Sequence, residues 1–101
     1  MSDSSISYDG QYTIAFQGDI LFSTISELLK SWVEIQEKIH NLSKIQLSCS
    51  NLHHVDSAFM ALLIEIKRFC NTQGIRLSIN GLSQNKINFL QAYGVMEIIN
   101  D

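Results

Sequence analysis

The chain has 101 residues, 46% of them hydrophobic, enough for one domain with its own core and too few for two. Seven Lys and Arg against ten Asp and Glu give a net charge of -3, without the clustered positive field that a nucleic-acid backbone demands. The longest fully apolar run, Ala58 to Ile64, is stopped by Glu65 and falls far short of the roughly 20 residues that cross a bilayer, so direct membrane insertion is excluded and any membrane link passes through a partner.

Residues 1–5 are rich in Ser and Asp and read as a flexible lead-in, lacking the basic start and apolar stretch of a signal peptide. A short strand follows near Ile6–Tyr8, and Asp9-Gly10 signals a hairpin turn. Tyr12, Ile14 and Phe16 alternate with Thr13, Ala15 and Gln17, a second strand that Gly18 and Asp19 should break. Between Thr24 and Asn41 the apolar residues Ile25, Leu28, Leu29, Trp32, Ile35 and Ile39 fall at helical spacing, with Thr24 and Glu27 at capping-box distance. Trp32 lies on the apolar stripe, which assigns it to packing.

Ile45, Leu47 and Cys49 form a third alternating run, followed by a short loop through His53-His54 and an abrupt helix start at Asp56-Ser57. The second helix runs to about Asn71 and closes at Gln73-Gly74. Ile75, Leu77 and Ile79 make a fourth strand, and Ser83 opens a third helix with Ile87, Leu90 and Tyr93 inward, ended by Gly94. The last apolar residues, Val95 to Ile99, fit either a helical turn or an edge strand. Strand-helix-strand connections require parallel neighbours and right-handed crossovers. The expected architecture is therefore α/β: a mixed four-stranded sheet covered by about three helices, in a single domain over residues 6–101.

Little in the chain suggests catalysis. His53 and His54 are adjacent, and in extended structure neighbouring side chains point opposite ways, so they do not share a metal; His40 has no Cys or carboxylate at a ligand interval. There is no G-x-S-x-G elbow and no glycine-rich phosphate loop. Cys49 and Cys70 sit in apolar settings without C-x-x-C spacing and read as reduced, buried thiols of a cytosolic protein. A non-enzymatic protein without metal or cofactor is expected.

Asp56-Ser57 stands out because a helix N-terminus presents unpaired N–H groups that attract anions. Two readings stay open. In one, Asp56 caps the helix and Ser57 is a small first-turn residue; in the other, the Ser57 hydroxyl meets a partner or is phosphorylated. A phosphate there would gain from the helix dipole and be repelled by Asp56, so it would act by repelling a partner rather than by stabilising the fold. The second helix is apolar on more than one side, so it either packs between other elements or meets a partner: Leu62, Leu63, Ile66 and Phe69 are assigned to the core, and an interface would take Asp56, Ser57, Ala58, Phe59 and Met60.

The stretch IQLSCSNLHHVDSAFMALL resembles the strand, loop and D-[ST]-[SAT]-G-L helix start of the STAS domain family. FQGDILFSTISELLKSW is similar to that family's strand, G-[ED]-[LI] turn and first helix. The family includes anti-sigma-factor antagonists and a small cytoplasmic subunit of bacterial phospholipid-transport ABC systems. Phe59 replaces the usual glycine and Leu21 the usual acidic residue, on surfaces that antagonists use to meet a serine kinase and an anti-sigma factor. The tryptophan in the first helix, the D-S-A start and the leucine-rich second helix look like the transporter branch. The resemblance implies a cytoplasmic regulatory or assembly subunit, peripheral to the inner membrane, that binds an ABC transporter ATPase in a complex with a permease and helps maintain outer-membrane lipid asymmetry. The alternative it implies is an anti-sigma-factor antagonist switched by phosphorylation of Ser57.

Overall fold

Period-two alternation builds the sheet. In the computed structural model, which describes residues 4–99, β1 (Ser5–Tyr8) pairs antiparallel with β2 (Thr13–Ile20), and β2, β3 (Lys44–Val55) and β4 (Arg76–Asn80) follow as parallel neighbours in the order β1-β2-β3-β4. Ile6 sits opposite Phe16, Ile14 opposite Leu47 and Ile45 opposite Leu77, so one face carries the apolar residues of all four strands. The other face carries Ser7, Ala15, Gln46, Ser48 and Ser78. Both parallel crossovers step in the same direction along the sheet, so right-handed connections place α1 (Ile25–Ile39) and α2 (Ser57–Gln73) on the same, apolar face. This is the expected mixed α/β sheet; α3 (Gln84–Ala92) and α4 (Val95–Ile99) complete it, and the closing segment is helical.

Both β2 and β3 run past the ends expected from sequence. Gly18 adopts φ 79° yet stays within β2, which continues to Ile20, so glycine here bends the strand instead of ending it. On β3 the register advances by an extra residue between Ser48 and Asn51, and again between Leu52 and Val55, against two-residue steps on β2. These two bulges interrupt the alternation and give residues 50–55 the appearance of a loop. His53 and His54 are strand residues, both exposed. At the other end β1 begins at Ser5, and Ser4 donates to the Asp19 carbonyl, so Ser4 and Ser5 belong to the fold and not to a flexible lead-in; residues 1–3 lie outside the described residues.

Trp32, Phe16, Phe59, Leu62, Leu63, Ile66 and Leu90 are fully buried. Phe16 and Phe59 meet edge to face at 5.8 Å between ring centroids, and Trp32 and Phe69 at 5.4 Å, geometries that add about 0.5–1.5 kcal/mol each to the burial. Trp32 is a packing residue, as its position on the stripe indicates. Burial pushes the Cys49 thiol up to about 12 and that of Cys70 up to about 11, which leaves both protonated and poorly nucleophilic at neutral pH.

Three local expectations are corrected. Thr24 does not cap α1 with its side chain; its hydroxyl accepts from Leu21 N–H at 3.0 Å and donates to the Asp19 carbonyl at 2.9 Å, which closes the β2–α1 turn. Leu29 is 40% exposed and Tyr93 68% exposed, although helical spacing assigns both inward. On α1 the buried stripe narrows to Leu28, Trp32, Ile35 and Ile39, the a/d spacing of a helix that meets its neighbours along one seam.

Candidate functional site

Strand β3 delivers the chain to the upper end of the sheet, where Asp56 turns it into α2. Asp56 is in extended conformation and its Oδ1 accepts from Ala58 N–H at 2.8 Å, the geometry of an N-cap. Its Oδ2 accepts from the Phe22 N–H at 3.0 Å. One carboxylate therefore starts a helix and anchors the β2–α1 turn, so the two loops at this end are fixed relative to each other.

A second carboxylate reinforces that link. Asp19 Oδ1 accepts from His54 N–H at 3.1 Å and lies 3.1 Å from His54 Nδ1. These hydrogen bonds, the backbone one first, hold the Asp19 carboxyl below its ordinary value. His54 thus serves the frame of this end; among the described residues no group of three or more His, Cys, Asp or Glu could hold a metal ion.

The structure separates the five residues that sequence brings together as an interface. Ser57 is exposed on the first turn of α2, and Asp56 is half-buried by its two hydrogen bonds. Ala58 and Met60 are 8% and 9% exposed, and Phe59 is fully enclosed against Phe16. Phe59 cannot reach a partner without leaving the core, so its place in the expected interface is corrected. The reason is rotational: residues 58–60 turn onto the sheet, whereas Ser57, Ala61, Glu65 and Arg68 follow at four- and three-residue steps on the outside.

Apolar relief on both sides of that outer stripe combines Ala58 and Met60, which the sequence places in the interface, with residues that sequence reasoning overlooked. Between α2 and α3 lies a groove of about 530 Å³ in which Ser57, Met60, Ala61 and Ile64 face Phe89 and Tyr93. Between α1 and α2 lies another, of about 570 Å³, walled by Leu29, Trp32 and Val33 on one side and Ala58, Ala61 and Leu62 on the other, with Phe22 at its end. Ala61 lines both. Phe22 is 82% exposed and Val33 58% exposed. Their signal in the sequence is that each is apolar while lying off the buried stripe: Val33 follows Trp32 directly, and Phe22 sits in the turn before α1. Trp32 Nε1, deep beside the second groove, is buried without a hydrogen-bond partner.

The site is thus a hydroxyl at the open start of a helix, which follows a bulged parallel strand and is braced by two aspartates. Residues 6–100 match the description of the STAS domain. The chain is a STAS domain. No curated protein matches it. Among solved structures, this STAS domain resembles part of one described as "Crystal Structure Analysis of Mglu", with a TM-score of 0.59 and 16% identity over 78% of this chain and 19% of that one. It also resembles part of "The overall structure of SLC26A9", with a TM-score of 0.61 and 13% identity over 84% of this chain and 16% of that one. The chain thus spans less than a fifth of each, and at these identities the likeness concerns the fold. STAS domains are a class of regulatory and interaction modules, and this domain belongs to that class. No helix among the described residues is long and apolar enough to cross a membrane.

Proposed function

We propose that this STAS domain is a non-enzymatic regulatory or assembly subunit, which binds the cytoplasmic ATPase of a phospholipid-transport ABC system through the start of α2 and so sits at the inner membrane by way of its partner. The observation that carries the proposal is the exposed ridge of Ser57 and Ala61 between two apolar grooves. Small side chains along the ridge let a partner's backbone come close, while the grooves on either side accept its apolar side chains. Interfaces of this kind draw their affinity from a few apolar anchors seated in pockets. The residues that point to a transporter ATPase are those of the resemblance: Trp32 in the first helix, the D-S-A start of the second, and Phe59 and Leu21 where antagonists of anti-sigma factors differ.

The test is co-purification of the tagged domain with an ATPase and permease from its host, repeated with Ser57→Arg and Ala61→Arg. Both positions are exposed, so the variants should keep the wild-type circular dichroism and melting temperature while losing the ATPase. Unchanged assembly in both would remove this surface from consideration. The alternative partner, a serine kinase acting with an anti-sigma factor, predicts a gain of one phosphate on Ser57 after incubation with the kinase and ATP. A phosphate there would stand beside the Asp56 carboxylate, both of whose oxygens are already engaged by the helix start and the β2–α1 turn.

A further inference from the structure

At the opposite end of the sheet, the strands begin with an arrangement of charge that the fold does not need. Lys44 opens β3 and Arg76 opens β4, and the two are register partners on adjacent parallel strands. Register partners project from the same face, so two cations stand side by side where like charges repel. The chain has seven Lys and Arg in all against ten Asp and Glu, yet among the described residues no carboxylate lines the depression of about 180 Å³ that these two residues form with Tyr12, Ile45, Gln46 and Ser78. The ion pairs among the described residues involve Lys30 with Glu27 and His54 with Asp19. Neither Lys44 nor Arg76 takes part.

The walls are held in place by the main chain. Gln46 N–H donates to the Tyr12 carbonyl at 2.8 Å, and Arg76 N–H donates to the Ser43 carbonyl at 2.9 Å. Lys44 Nζ lies 4.7 Å from the centre of the Tyr12 ring, which gives the ammonium a defined resting place. The site therefore offers one guanidinium fork, one ammonium, a phenol, a primary amide and a hydroxyl, on backbones that are already ordered.

We propose that this depression binds the phosphoryl group of a phosphomonoester. A phosphomonoester carries close to two negative charges at neutral pH and three acceptor oxygens, which matches two cations and three neutral donors; a carboxylate, with one charge, would leave one cation uncompensated. The guanidinium suits paired contacts to two phosphoryl oxygens and the ammonium a third. Such a group could belong to a small soluble molecule or to the headgroup of a lipid such as phosphatidic acid. This site lies at the other end of β3 from Ser57 and is independent of any partner bound there.

Glycerol 3-phosphate titrated into the isotope-labelled domain at low salt, with sedimentation of phosphatidic-acid and phosphatidylcholine vesicles in parallel, tests the proposal and distinguishes the two sources. Saturable shifts of the Tyr12, Gln46 and Ser78 amides, weakened at least ten-fold in Arg76→Gln and in Lys44→Gln and partly kept in Arg76→Lys, support a soluble ligand. Sedimentation with phosphatidic-acid vesicles alone, lost in the same Gln variants, supports a lipid headgroup. Both side chains are exposed, and unchanged melting temperatures establish that the variants are folded. Binding to neither probe, or binding that survives the double Lys44→Gln, Arg76→Gln variant, overturns the proposal.

Discussion

The two ends of β3 present different surfaces from the same sheet. Where β3 meets α2, the two aspartates are engaged internally: Asp56 and Asp19 accept from main-chain N–H groups, and the first turns of α2 show outside a hydroxyl and an alanine between two apolar grooves, with Glu65 at the margin of one. Where β3 begins, Lys44 and Arg76 stand in a polar depression that no carboxylate among the described residues lines. An end that satisfies its charges and exposes apolar relief is built to be covered by another polypeptide, because covering it costs little desolvation. An end that exposes paired cations is suited to a small anion, because only a compensating charge relieves the repulsion between them.

The contrast within the upper end can be broken most severely at Phe59. This residue and Ser57 are two positions apart, yet one is fully buried and the other exposed. Phe59→Ala should cost about 3–5 kcal/mol, a fall in melting temperature of at least about 12 °C in a domain of this size. Ser57→Arg should leave the thermal transition near that of the parent. Thermal unfolding followed by circular dichroism measures both, and a comparable loss in the two variants would mean that the ridge is structural and not a docking surface.

A smaller effect is expected at Gly81, where β4 leaves the sheet beside a bulge of β3. Its φ is 81°, and a Cβ there would stand 2.7 Å from the Ser50 amide nitrogen and 2.5 Å from Ser50 Oγ. Gly81→Ala should cost about 1–2 kcal/mol for the left-handed backbone and more for the displacement of Ser50, read as a lower urea midpoint with unchanged slope. Equal stability would show that β4 can shift without disturbing β3.

These sites also show what the sequence makes legible and what it hides. Element order, the alternation of Ile14, Phe16, Ile45 and Leu47, and the D-S helix start suffice for a mixed sheet with α2 beginning at Ser57, because periodicity and capping are local. The extensions of β2 and β3 are not local. They depend on two bulges whose extra residues appear only when β3 is laid against β2, and the same sequence read alone is a loop. Phe59 looks available because α2 is apolar on several sides; only the position of Phe16 shows which side meets the sheet. Phe22, Val33 and Tyr93 were hidden for the opposite reason, since an exposed apolar residue has the same letter as a buried one. Lys44 and Arg76 are 32 positions apart, and parallel pairing alone makes them neighbours.

Asp56 supports both the helix and the turn, so its loss should be felt in two places. Asp56→Ala should cost about 0.5–2 kcal/mol as a lost N-cap, and amide exchange at Phe22 should accelerate together with that at Ala58, the two N–H groups its carboxylate accepts from. Faster exchange at Ala58 alone would mean that the turn is held by Thr24 and not by Asp56. Asp56→Asn, which keeps one acceptor oxygen, should recover part of the helix term and little of the turn term.

Acid is expected to loosen the two ends through separate carboxylates, and this is the smallest and most discriminating effect. Asp9 Oδ1 accepts from Gln11 and Thr13 N–H in the β1–β2 hairpin, beside Tyr12 at the lower end, and Asp19 Oδ1 accepts from His54 N–H at the upper end. Each carboxyl is held below its ordinary value of 3.8, Asp9 first by the Gln11 N–H and Asp19 first by the His54 N–H. Because the folded values are depressed, the unfolded chain binds protons first as pH falls, so this stability is complete above about pH 5 and is lost progressively below about pH 4. Asp19→Asn should flatten only the portion due to the upper end, and acid shifts of the Gln11 and Thr13 amides should persist in that variant. If both sets of shifts vanish together in Asp19→Asn, the hairpin and the α2 end titrate as one unit and the independence of the two surfaces fails.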